Sequence, residues 1–109
     1  MKKALAVILM MVVTSTHAQL EKTPYEKFSS KNFTKDEVTI SIVTVDNVGK
    51  ACEAESRKRG MGGFGTPMEA CSFWSTGAQG RTCRIITAKS VNMWTLGHEL
   101  RHCLEGNFH

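Results

Sequence analysis

Four cysteines, Cys52, Cys71, Cys83 and Cys103, most narrow what this 109-residue chain can fold into. All four follow a leader-like beginning. Lys2 and Lys3 make a basic start, Ala4 to Val13 is an apolar run, and Thr16-His17-Ala18 offers a small-residue cleavage site. Residues 1–18 therefore match a bacterial-type export signal peptide, whose apolar run is too short to anchor the chain in a bilayer. No cysteine lies near the cleavage point to carry a lipid. The expected location is the periplasm or the outside of the cell. In such an oxidising compartment an even number of cysteines in a small domain implies two disulfides. No CxxC pair is present to argue for a thiolate metal site.

Cleavage after Ala18 would leave residues 19–109, enough for one domain with a modest core. The net charge would fall from +4 to +2, because the leader holds Lys2 and Lys3 and no acid. The basic cluster Arg57-Lys58-Arg59 has no aromatic residue interleaved, so it reads as the solvated end of a helix and not as a nucleic-acid surface.

Residues 19–37 are polar and contain Pro24, which suggests an extended segment tacked on by Tyr25, Phe28 and Phe33. The folded domain is expected over 38–109. Val38 to Val45 is the clearest strand, with Val38, Ile40, Ile42 and Thr44 on one side and Val43 and Val45 on the other. Apolar on both faces towards its end, it reads as an interior strand. Asp46 or Asn47 can cap a helix that runs to about Arg59 and stops at Gly60, with Val48, Ala51, Cys52 and Glu55 sharing a face. The glycine-rich stretch from Gly60 to Pro67 reads as a flexible loop, and its functional alternative is a mobile rim beside a cleft. Cys71 to Trp74 and Arg81 to Ala88 read as two strands joined by a turn over Ser75 to Gly80. Phe73 and Ile85 or Ile86 would pack on the core, and Trp74 is assigned to the core in preference to a cleft wall. Ser90 or Asn92 would cap a last helix. The order of elements gives an α+β domain, a short sheet with a β-hairpin packed against two helices and stapled by disulfides. Of the three possible pairings, the favoured one joins Cys71 to Cys83 across the hairpin and Cys52 to Cys103 between the helices.

The last helix carries the chemistry. Its sequence His98-Glu99-Leu100-Arg101-His102 places two imidazoles at i and i+4 on one helical face, where both can reach one metal ion. Glu99 stands beside them as a carboxylate able to act as a general base without being a ligand. Leu96, Leu100, Cys103 and Leu104 lie on the roughly opposite face, as expected of a helix that packs on a core. Trp94, one turn before His98, could wall a substrate pocket, although an aromatic on an apolar helix more often serves packing. Besides His17 in the leader, the only other histidine is His109. Gly106 can turn the chain through a conformation with positive φ and swing His109 back to complete the site. Glu105, at i+7 from His98, is the alternative third ligand, or a residue that orients a ligand histidine.

This stretch resembles the active-site helix of the HExxH zinc metallopeptidases, the zincins, and most of all the metzincin pattern HExxHxxGxxH. Gly106 and His109 each fall one residue later than in that pattern. The resemblance implies a small zincin-like domain over 38–109 and a bound Zn2+ held by His98, His102 and His109. It also implies hydrolysis of a peptide or protein substrate with Glu99 as general base. In zincins an edge strand upstream of this helix pairs with the substrate backbone, a part that falls here to the hairpin. The alternative expectation is a non-catalytic zinc-binding or inactive zincin-like module that recognises a protein partner.

Overall fold

The computed structural model describes residues 29–109. The expected signal peptide over residues 1–18, Tyr25 and Phe28 lie outside the described residues. The chain folds as strand β1 (Val38–Thr44), helix α1 (Val48–Lys58), strand β2 (Ala70–Gly77), strand β3 (Gly80–Thr87) and helix α2 (Met93–Glu105). The α+β class and both expected helices are present. Each helix begins on an asparagine. The Asn47 side chain accepts the Lys50 N–H at 3.0 Å, and the Asn92 side chain accepts the Thr95 N–H at 2.8 Å. These caps satisfy donors that the first helical turn leaves without partners.

The sheet is mixed, in the order β1-β3-β2, with β1 parallel and β2 antiparallel to β3. β1 is thus an edge strand, not the interior strand that its composition suggested. Ile40 and Ile42 remain 36 % and 52 % exposed. They lie on the side of the sheet that α2 covers, but α2 lies mainly over β2 and β3. Apolar residues on both faces of a strand signal burial only when neighbours cover both faces, and here one neighbour stops short.

The hairpin is tighter than expected. Gly77 pairs with Gly80, so only Ala78 and Gln79 form the loop. Gly80 has φ +101, and a Cβ there would stand 2.5 Å from the Glu37 carbonyl oxygen. That carbonyl accepts the Arg81 N–H at 2.7 Å, which ties the lead-in of β1 to the start of β3.

Strand residues alternate between faces, and this alternation separates two small cores. Val48 and Cys52 of α1 pack with Cys71, Phe73 and Ile86. On the other face Cys103, Leu96 and Leu100 of α2 pack with Cys83, Ile85, Trp74 and Val38. The two helices therefore sandwich the sheet. The disulfides follow the same division: Cys52 bonds Cys71, and Cys83 bonds Cys103. The expected Cys71–Cys83 and Cys52–Cys103 pairing is incorrect. Cys83 faces Trp74, three residues from Cys71, and an odd offset places the two cysteines on opposite faces. Cys52 and Cys103 are likewise parted by the whole sheet. Each disulfide instead staples one helix to the strand beneath it.

Upstream of β1, the Thr34 N–H donates to the Leu104 carbonyl at 2.7 Å, and Phe33 is half-buried. The segment before the first strand is thus fastened to the end of α2. Among the described residues no helix is long and apolar enough to cross a membrane.

Candidate metal centre

Helix α2 presents two histidines one turn apart, and the chain reversal after it delivers the third. Gly106 ends the helix with φ +79 and ψ −134, and its N–H donates to the His102 carbonyl at 2.8 Å. Residues 107–109 then run back along the helix. His109 Nε2 comes to 3.3 Å from His98 Nε2 and 3.0 Å from His102 Nε2. The three donor nitrogens lie within 4.8 Å of one another and could hold one metal ion. Two imidazole nitrogens bound at ~2.05 Å to a tetrahedral ion stand about 3.3 Å apart, so the two spacings to His109 suit such an ion. Among the described residues no other group of histidines, cysteines and carboxylates meets the same criterion.

The ring of His102 is fixed from two sides. Its Nδ1 donates to the Gly106 carbonyl at 2.8 Å, which leaves Nε2 with a lone pair facing the site. The Trp74 indole stacks on the ring with centroids 5.5 Å apart and planes 9° from parallel. Burial holds the His102 pKa below its ordinary value, against the opposing pull of the Gly106 hydrogen bond and the Glu99 carboxylate. Only the neutral imidazole is a ligand, so this shift favours the form that binds metal.

Glu105 is neither a member of the cluster nor a partner of a ligand ring. Its carboxylate pairs with Arg101 one turn earlier on α2, and only 4 % of its side chain is exposed. The orienting part expected of Glu105 falls instead to the Gly106 carbonyl.

Glu99 is buried at 6 % exposure and accepts a hydrogen bond from Ser72 Oγ at 2.5 Å. Ser72 belongs to no motif in the sequence. Its one signal was its place in the alternation of β2, where it shares the α2 side with Trp74. Trp74 itself joins the core under α2 and lines the cleft as well. Trp94 is 44 % exposed and does not line the cleft, so it is neither well packed nor the pocket wall offered as its alternative.

The cleft encloses about 710 Å³, within the range of ligand sites. Its walls are the three histidines and Glu99 on one side and Met61, Gly62, Gly63 and Phe64 of the glycine-rich loop on the other. Ser72, Phe73 and Trp74 of β2 run between them. The loop thus borders the cleft, the less favoured of its two readings, and Ser56 Oγ fastens it by donating to the Gly62 carbonyl at 2.6 Å. Because β2 is an edge strand, its unpaired side borders this cleft.

Compared with protein-family models, with curated proteins and with solved structures, the chain matches none of them.

Proposed function

We propose that this chain is a small exported zinc-dependent peptidase. The observation that carries the reading is one cleft in which three imidazole nitrogens converge beside a buried carboxylate that is not among them. His98, His102 and His109 would hold the metal. Zinc with three protein ligands supplies a polarised peptide carbonyl and a water whose pKa falls towards ~7. Glu99, beside the site but not among the three nitrogens, would serve as the general base towards an attacking water and as the proton donor to the leaving amine. Ser72 keeps the carboxylate turned to the cleft. The unpaired side of β2 offers backbone N–H and C=O groups to an extended substrate, which would lie as an added strand across the histidines. The two disulfides suit an oxidising, exported setting.

A non-catalytic zinc module is the second reading, and the small size of the domain favours it. Against it stands Glu99, for which a purely structural zinc site has no use. Structural zinc sites are also usually closed by four protein ligands, whereas three nitrogens meet here. Cleavage of mixed peptides by the zinc-loaded protein, compared with a Glu99→Gln variant of equal zinc content, separates the two readings. Loss of cleavage in the variant supports the peptidase, and equal cleavage or none in either supports the module.

A further inference from the structure

We propose that Arg101 is a positioning residue for the metal site: it clamps the segment after α2 so that His109 meets the other two histidines. This inference rests on the metal reading of the three histidines and not on the peptidase reading.

His109 is the ligand that helix geometry alone does not place. His98 and His102 are set by the helix, whereas His109 lies beyond a reversal at Gly106. Something must hold residues 107–109 against α2, since each free backbone residue carries conformational entropy that ligand capture would have to remove. The Arg101 guanidinium does this in two directions. It pairs through Nε with the buried Glu105 carboxylate of its own helix. It also lies over the Phe108 ring, 4.2 Å from the centroid. A cation on an aromatic face is attractive, and the planar guanidinium suits both contacts at once.

Phe108 is wedged in turn among the ligand rings. Its centroid lies 4.4 Å from that of His102, 5.2 Å from His98 and 4.9 Å from His109. The series Glu105, Arg101, Phe108, His109 thus runs from the helix to the third nitrogen. It gives the buried Glu105 a task that neither ligation nor contact with a ligand ring provides. The sign of the effect separates this clamp from simple charge. A cation near a metal ion repels it, so removing Arg101 would strengthen binding if charge alone mattered. The clamp requires the opposite.

The test is zinc affinity of residues 19–109, measured against a competing chelator. Arg101→Met should weaken zinc binding about 10–100-fold, the range seen for residues that orient ligands. Glu105→Gln, which keeps shape and removes the charge, should weaken it in the same direction. In a His109→Ala background Arg101→Met should add nothing, because the clamp acts only through His109. In the zinc-free Arg101→Met protein the backbone 15N heteronuclear NOE should fall at Phe108 and His109 and hold along α2. Unchanged or tighter zinc binding in Arg101→Met overturns the proposal. So does an equal loss with and without His109, or an unchanged NOE after α2. A wild-type protein that binds no zinc overturns the metal reading itself, and the zinc-free NOE still shows separately whether the clamp exists.

Discussion

Replacing Gly106 by alanine tests how the site is assembled. Gly106 sits at φ +79 and ψ −134, a region that only glycine visits freely. A Cβ added there would meet the Trp74 indole at 3.6 to 3.9 Å, which is ordinary contact. Steric overlap therefore adds nothing, and the backbone conformation alone sets the cost, about 1–3 kcal/mol. Asparagine, which tolerates the left-handed helical region, would not relieve it, because ψ here is far from that region. The strained variant can relax by opening the turn, which withdraws His109 and breaks the His102 Nδ1 hydrogen bond to the Gly106 carbonyl. Gly106→Ala should thus lower the zinc-free stability by about 1–3 kcal/mol in urea unfolding or lower zinc affinity, with both disulfides intact. The two losses should share the strain between them. A variant with wild-type stability and wild-type zinc affinity would refute the idea that this reversal builds the third ligand.

Other consequences follow from the same geometry. Ser72→Ala should lower kcat for peptide cleavage roughly tenfold or more with little change in KM, since a hydrogen bond to a charged group is worth about 1.5–3 kcal/mol, and Ser72→Thr should restore most of it. An unchanged kcat in Ser72→Ala would remove the hydroxyl from the mechanism. Mass mapping of unreduced peptides should find Cys52 with Cys71 and Cys83 with Cys103, and a Cys71–Cys83 peptide would contradict the two-faced sheet. The stability of the zinc-free protein should fall as the pH drops below about 6.5, because the unfolded chain binds a proton there that the buried His102 resists. The native pKa is the lowered one, so this loss appears on the acid side, and His102→Gln should flatten that part of the stability profile.

The helices and the hairpin were legible because their signals are local. Asn47 and Asn92 cap, Gly60 stops α1, and valine and isoleucine mark the strands. The two histidines at i and i+4 were legible for the same reason, since one helix fixes their spacing. What escaped depends on pairing at a distance. Composition alone could not reveal that β1 pairs with β3 on one side only, and this left Ile40 and Ile42 exposed. The disulfide scheme failed because it needs the hairpin register, where a shift of one residue moves a cysteine to the other face. The Ser72–Glu99 hydrogen bond and the stacking of Trp74 on His102 were out of reach for the same reason, as β2 meets Glu99 and His102 only through the packing of α2. Arg101 and Glu105 stand at i and i+4 on α2, but the contact of Arg101 with Phe108 depends on the turn at Gly106.

The most direct test of the central claim is a paired measurement on zinc-loaded protein comprising residues 19–109. Wild type and Glu99→Gln are each assayed for bound zinc and for cleavage of a mixed peptide pool. Both proteins should hold one zinc per chain, the wild type should cleave, and Glu99→Gln should lose cleavage by orders of magnitude. Equal cleavage by the two proteins, or a wild type that holds zinc and cleaves nothing, would contradict the central claim.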